Sequence, residues 1–162
     1  MTIGISRRRI VALAAALPIV ALAGRKEAAA AAPKITVNKD PNCSCCGGWV
    51  DHLKAEGFSV DVVETSAINR VRAKLGVPNE LAACHTAEVD NYVIEGHVPA
   101  VAIRRLLSQR PDARGLAVPG MPVGSPGMEI EGSAPETYEV ILFGSFGRRV
   151  FARFEGAREL PS

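Results

Sequence analysis

Three cysteines within four residues are the feature of this sequence that points most directly to chemistry. They are Cys43, Cys45 and Cys46, in the segment Cys43-Ser44-Cys45-Cys46. Cys43 and Cys46 have C-x-x-C spacing and are predicted to stand at the start of a helix. There, unpaired backbone N–H groups and the helix dipole stabilise a thiolate. Such a thiolate suits either a redox-active thiol or a ligand to a thiophilic metal.

The third sulfur favours metal binding over a simple redox pair. Cys45 and Cys46 are adjacent in the chain, and adjacent cysteines do not readily reach the geometry of a disulfide with each other. Thiolates and thioethers select Cu(I) and zinc over magnesium or calcium. We therefore predict copper, for which a polynuclear cluster bridged by thiolates is chemically feasible, ahead of zinc in a closed site of four ligands.

Two alternatives to a metal site stay open at this point. In the first, the protein is a thiol–disulfide oxidoreductase in which Cys43 is the attacking thiolate and Cys46 the resolving thiol. In the second, the cysteines form a structural disulfide framework, as in many exported proteins. The chain has four cysteines, which allow 3 connectivities.

Further candidate ligands occur later in the chain. Cys84 and His85 follow the second predicted helix and could fold back onto the first three cysteines, although their spacing alone does not require it. Met121 and Met128 lie in a Pro/Gly-rich segment where neither helical nor strand periodicity would bury them. Their thioethers could bind Cu(I), or the two side chains could fill gaps in a loop. Cys84 could equally be a small buried side chain, and His85 a surface loop residue.

Three other residues near these segments receive different interpretations. Trp49 is predicted to be a core anchor beside the cysteines rather than a ligand. His52 is predicted to be solvated, on the surface of the first helix. His97, in the segment Gly96-His97-Val98-Pro99, remains ambiguous.

The elements that would position these residues alternate between strand and helix. Periodicity and turn residues predict the following order: a strand at 34–38, a helix at 48–56, a strand at 58–64, a helix capped by Thr65 or Ser66 and continuing to Leu75, a strand at 92–94, a helix from Pro99 to Leu107, and a hairpin of strands 138–143 and 149–154. We predict a thioredoxin-like α/β fold, with a small mixed sheet flanked by helices. A Pro/Gly-rich loop, 116–132, is inserted before the C-terminal hairpin.

Residues 1–32 have the organisation of an export signal. Basic residues precede an apolar run over 10–24, and alanines at 28–32 suit cleavage. The sequence Ser6-Arg7-Arg8-Arg9 favours the twin-arginine type. The apolar run is shorter than the roughly 20 residues that span a bilayer. We predict a single domain, 33–162, in the periplasm with no stable membrane span.

Charge argues against nucleic acid as a partner. The whole chain has a formal net charge of +2. Residues 1–32 contain five basic residues and one acidic residue, so the mature chain has 14 basic and 16 acidic residues. Its arginines are scattered rather than clustered as nucleic-acid binding requires.

Four motifs together resemble one known family. They are Cys43-Ser44-Cys45-Cys46-Gly47-Gly48-Trp49, Ala83-Cys84-His85-Thr86, Gly96-His97-Val98-Pro99-Ala100, and the Gly115–Met128 segment, which ends Gly120-Met121-Pro122-Val123-Gly124-Ser125-Pro126-Gly127-Met128. The family is the periplasmic metal-binding family catalogued as domain of unknown function 411, which includes the CopG proteins of copper-resistance operons. The resemblance covers nearly all of 33–154. Ser44 departs from the pattern, in which glycine is usual, but it replaces no ligand.

The resemblance implies a thioredoxin-like fold, copper binding and a role in periplasmic copper resistance, with Cu(I)/Cu(II) redox chemistry as one form of that role. Carried over to this chain, it implies copper ligands at Cys43, Cys45, Cys46 and Cys84, with His85, Met121 and Met128 as further candidates. Copper ions, and other periplasmic copper-handling proteins, are the implied partners. Whether the protein is an enzyme, such as a copper oxidoreductase, is left open.

Overall fold

The computed structural model describes Met1 and residues 33–161, in which strands and helices alternate at first and only strands follow the last helix. Within residues 33–161 the α-helices are α1 (Ser44–Ala55), α2 (Ile68–Lys74) and α3 (Ala100–Gln109). The strands there are β1 (Ile35–Lys39), β2 (Val60–Glu64), β3 (His85–Val89), β4 (Tyr92–Glu95), β5 (Gly115–Ala117), β6 (Thr137–Gly144), β7 (Gly147–Glu155) and β8 (Arg158–Leu160). A short 3-10 helix, Asn79–Leu81, precedes β3. The predicted export signal and its cleavage site lie outside the described residues.

The strands form one mixed sheet in the order β2-β1-β3-β4-β5-β6-β7-β8. β1 is parallel to β2, and β4 is parallel to β5. The remaining neighbours are antiparallel. The predicted α/β class with a mixed sheet is confirmed, and its thioredoxin-like identification stays a prediction. No helix among the described residues is long and apolar enough to cross a membrane.

The first helix packs on the sheet through one face. Trp49, Val50 and Leu53 of α1 are buried at helical spacing. They join a core that includes Ile35 and Val37 of β1, with the apolar face of α3 in the same cluster. Each such fully buried side chain contributes about 1.5–3 kcal/mol by its removal from water. This packing fixes the start of α1, where the cysteines stand, against the sheet.

Several predicted element boundaries need correction. Helix α1 begins at Ser44 rather than at residue 48, so that Cys45 and Cys46 lie in its first turn. The N-cap of α2 is Ala67 rather than Thr65 or Ser66. The hydroxyl of Thr65 instead accepts a hydrogen bond from the N–H of Ala67 at 3.1 Å.

Three strands escaped prediction. All but one residue of β3 is buried, so the strand lacks the alternation that marks a half-exposed strand. β5 has three residues and opens the Pro/Gly-rich segment, whose first two residues were wrongly assigned to a loop. β8 also has three residues. The C-terminal hairpin is confirmed, with β6 and β7 paired from Thr137↔Glu155 to Gly144↔Gly147.

Candidate metal centre

The N-terminus of α1 carries the first three cysteines. Cys43 is the N-cap residue, and its side chain makes no capping hydrogen bond. Cys43 and Cys46 are joined by a disulfide with Cα atoms 5.5 Å apart. Cys45 and Cys84 are free thiols. The structure therefore contains one cysteine pair in oxidised form and leaves two thiols beside it.

Cys84 folds back onto this cluster, an arrangement that the sequence left open. It lies immediately before β3, and β3 pairs with β1, the strand that leads to Cys43. The sulfur of Cys84 is 4.0 Å from that of Cys45, and the sulfur of Cys45 is 3.5 Å from that of Cys43. The four cysteine sulfurs all lie within 4.8 Å of one another.

Two imidazoles meet the same thiol from other directions. The sulfur of Cys84 is 3.2 Å from Nδ1 of His85 and 3.1 Å from Nε2 of His97. These three residues form a second group whose ligand atoms lie within 4.8 Å of one another. Cys84 thus belongs to both groups and joins the sulfur-rich part of the site to the imidazoles.

His97 is the member of the site that sequence reasoning left unassigned. It is fully buried in the turn between β4 and α3. Nδ1 of His97 lies 2.8 Å from the carbonyl oxygen of Pro126, so Nδ1–H donates and Nε2 presents its lone pair to Cys84. A backbone carbonyl that fixes the tautomer in this way is typical of metal-ligating histidines. The signal in the sequence was its place in the Gly96-His97-Val98-Pro99 motif.

His85 is buried, so its interpretation as a surface loop residue is wrong. Its ring packs on Trp49 with centroids 4.3 Å apart and meets the ring of His97 edge-on at 5.0 Å. Nε2 of His85 has no hydrogen-bond partner among the described residues. Burial, with His97 alongside, lowers the pKa of His85 to about 3. The imidazole is therefore neutral at physiological pH, the state that a metal ligand requires.

The pKa of the Cys84 thiol is shifted in the opposite direction, upward. Burial, with Cys45 as the next cause, raises the pKa of Cys84 to about 12. The thiol is therefore protonated near neutral pH in the metal-free protein. A cation that binds Cys84 as a thiolate must displace this proton.

Two neighbouring side chains have structural roles. Trp49 is fully buried and donates its indole N–H to the carbonyl oxygen of Val98 at 2.9 Å, so its prediction as a core anchor is confirmed. His52 is not simply solvated as predicted. Its Nε2 accepts a hydrogen bond from the N–H of Ala100 at the start of α3, at 3.1 Å.

The Pro/Gly-rich loop packs against the start of α1 through a glycine. Gly127 has φ +85°, and a Cβ there would lie 2.4 Å from the backbone nitrogen of Trp49. Met128 follows it and is partly buried, whereas Met121 is 53% exposed. The loop thus brings the backbone of residues 126–128 beside the centre. The role of the two thioethers as ligands stays a prediction.

Comparison with known proteins adds an independent observation. The family DUF411, described as a protein of unknown function, matches residues 81–128. This range includes Cys84, His85, His97 and both loop methionines. The search of curated proteins returned no match.

Two solved structures of a protein titled copper resistance protein copG are similar to this chain. Form 1 is 42% identical, with a TM-score of 0.71, and the match covers 77% of this chain and 99% of that one. Form 2 is 40% identical, with a TM-score of 0.70, and the match covers 80% of this chain and 99% of that one.

Proposed function

The chain belongs to the DUF411 family of CopG-like copper-resistance proteins, and from that premise we propose that it binds Cu(I) through its cysteine cluster. The observation that carries the proposal is the convergence of four cysteine sulfurs within 4.8 Å of one another. Soft sulfur donors in this number favour Cu(I) over hard cations. The ions would be cargo that the protein buffers, relays or converts between oxidation states in copper resistance.

The proposed ligand set extends the cysteines by imidazole and thioether. Cys43, Cys45, Cys46 and Cys84 supply sulfur, and His85 supplies nitrogen. To these we add His97, because its Nε2 faces the same thiol as His85 does. Met121 and Met128 complete the proposed set on the side of the Pro/Gly-rich loop. Sulfurs this close together suit bridging of more than one copper ion.

Full use of the cluster requires reduction of the Cys43–Cys46 disulfide. Two electrons and two protons convert the disulfide into two thiols, and each Cu(I) that binds a thiol as thiolate releases one proton. The same balance offers a redox role. Formation of the disulfide from the two thiols releases two electrons and two protons, and the electrons would reduce two Cu(II) ions to Cu(I).

The remaining parts of the proposal concern fold and location. We assign the domain to the thioredoxin-like class, supported by β1 and β2 running parallel around α1 and by antiparallel β3 and β4 following α2. We further propose export to the periplasm by a twin-arginine signal in residues 1–32, with 33–162 as the mature domain. Other periplasmic copper-handling proteins would then be its partners.

A second candidate function is favoured by the disulfide itself. The Cys43–Cys46 disulfide stands at the N-terminus of α1, where the helix dipole stabilises a leaving thiolate. A thiol–disulfide oxidoreductase would cycle this pair without metal. A structural zinc module is the third possibility, and chelation should unfold it.

The test is Cu(I) stoichiometry and affinity of the mature protein, reduced with a dithiol and handled anaerobically. Elemental analysis and competition with a Cu(I) chelator would be applied to wild type, to Cys84→Ser and to protein with the disulfide intact. We expect tight binding by the reduced wild type and weaker binding by the other two forms. If the reduced protein does not bind Cu(I) but reduces the disulfides of insulin, the copper proposal is overturned in favour of the oxidoreductase.

A further inference from the structure

A buried ion pair lies directly beside the segment that carries Cys84. Nε of Arg72, in α2, donates to Oε1 of Glu95, in β4, at 2.7 Å. The two side chains are 8% and 0% exposed. Taking two charges out of water is costly, and a well-packed apolar pair of similar volume is often at least as stable. Stability alone therefore does not explain the pair.

Nη1 of Arg72 donates to Oδ1 of Asn69 at 2.7 Å, and the other hydrogen bonds of the pair go to residues on either side of Cys84-His85. Nη2 of Arg72 donates to the carbonyl oxygen of Ala83 at 2.5 Å, and Oε1 of Glu95 accepts from the N–H of Ala83 at 2.7 Å. On the other side, Oε2 of Glu95 accepts a bond from the hydroxyl of Thr86 at 2.5 Å. The same two side chains thus hold the chain both before and after Cys84-His85.

The segment needs such support because it belongs to no regular element. Residues 82–84 lie between the 3-10 helix and β3, and the pairing of β3 with β1 begins only at His85. Space is also restricted on the far side of Ala83. A Cβ at Gly96 would lie 2.6 Å from the Cβ of Ala83. The ion pair and this close approach together restrict the position of the peptide that precedes Cys84.

We propose that Arg72 and Glu95 are positioning residues that hold the sulfur of Cys84 within reach of both Cys45 and His97. The consequence for metal affinity rests on the proposed copper-binding function. Metal–sulfur and metal–nitrogen bonds of about 2.0–2.3 Å tolerate little displacement of a shared ligand. Groups that orient ligands from outside the first shell typically account for about 10–100-fold in metal affinity.

Arg72→Lys is the principal test. Lysine keeps the charge but lacks the planar fork, so it cannot serve Glu95 and Ala83 together in the same geometry. We expect its Cu(I) affinity, in chelator competition with reduced protein, to fall by about tenfold. Arg105→Lys is the matched control, because it makes the same change in the ion pair with Glu159, and it should keep wild-type affinity.

A double-mutant comparison separates positioning from a general loss of structure. If Arg72 acts through Cys84, Arg72→Lys should cause no further loss of affinity in a Cys84→Ser background. An equal loss in both backgrounds would overturn the proposal, and so would wild-type affinity in the single variant. If circular dichroism shows that Arg72→Lys does not fold, Thr86→Val takes its place, because it removes one hydrogen bond to Glu95. The same outcomes are expected for it, with a smaller loss of Cu(I) affinity.

A metal-independent readout distinguishes failure of this proposal from failure of copper binding. In metal-free Cys45→Ser protein with the Cys43–Cys46 disulfide intact, Cys84 is the remaining free thiol. We expect Arg72→Lys to speed its alkylation by iodoacetamide several-fold, because the segment loses the contacts that keep the thiol in place. An unchanged rate would overturn the positioning role, whether or not the wild type binds copper.

Discussion

Nδ1 of His97 lies 2.8 Å from the carbonyl oxygen of Pro126, and this contact directs Nε2 of the same ring toward the thiol of Cys84. Pro126 belongs to the Pro/Gly-rich loop, so the loop sets the tautomer of a buried imidazole across the fold. His97, unlike Cys43, Cys45 and Cys46, is therefore a candidate ligand whose orientation depends on the packing of a distant segment.

We predict that His97→Gln weakens Cu(I) binding by at least about tenfold, since even changes outside the first ligand shell reach that size. His52→Gln is the control, because His52 bonds to the N–H of Ala100 and to no cysteine. Chelator competition on reduced protein measures both. Equal affinities for His97→Gln and wild type would remove His97 from the ligand set.

The raised pKa of Cys84, about 12, predicts that copper binding strengthens with pH. Each proton displaced by copper adds a factor of about ten in apparent affinity per pH unit, as long as the pH is below the pKa of the thiol. Competition titrations between pH 6 and 8 measure this slope. In Cys84→Ser, copper binding should release about one proton fewer, so the apparent affinity should rise less steeply with pH. An unchanged pH dependence would mean that copper leaves the thiol of Cys84 protonated.

The lowered pKa of His85 predicts a loss of stability in acid for the metal-free protein. The imidazole has a pKa of about 3 in the fold against 6.5 as its ordinary value. Between these values the unfolded chain binds the extra proton, so the free energy of unfolding falls as the pH falls from 6.5 toward 3. The slope from this one group is up to about 1.4 kcal/mol per pH unit.

Burial also lowers the pKa of His52 and of His97, so these residues add to the slope in the same direction. Urea denaturation at several pH values, for wild type and His85→Gln, isolates the part due to His85. We expect a shallower dependence in the variant below pH 6.5. Parallel curves would show that His85 accepts a proton in the folded state as readily as in the unfolded one.

A pair of glycines tests the contact between the Pro/Gly-rich loop and α1. Gly127 and Gly132 both have positive φ, +85° and +79°, but a Cβ at Gly132 meets nothing within 4 Å. Gly132→Ala should therefore cost only the left-handed conformation, about 1–2 kcal/mol. Gly127→Ala adds a clash with the backbone of Trp49. Overpacking of this kind costs a further ~1–3 kcal/mol of stability.

Chemical denaturation of the metal-free variants gives both free energies of unfolding. Gly127→Ala should also weaken Cu(I) binding, since the clash displaces Pro126 from His97. Equal losses of stability in the two variants would show that the loop does not press on α1 in solution.

Much of the fold could be predicted because its signals are local. The alternation of apolar Ile35 and Val37 with polar neighbours marked β1, and the helical spacing of Trp49, Val50 and Leu53 marked α1. The strand β3 could not be found in this way, since four of its five residues are buried in the assembled sheet and alternation is lost. Burial on both faces is a property of the assembled sheet, not of five consecutive residues.

The same distinction between local sequence and tertiary structure applies to the candidate site. Local sequence decided that Cys43, Cys45 and Cys46 stand together, because four residues at the start of a helix cannot separate. Tertiary structure alone decided that Cys84, 39 residues beyond Cys45, lies 4.0 Å from it, and that His97 meets the same thiol. Those contacts depend on β3 pairing with β1, on the turn from β4 to α3, and on the Arg72–Glu95 pair. Each of these joins segments far apart in the chain, and no spacing within one segment encodes where they meet.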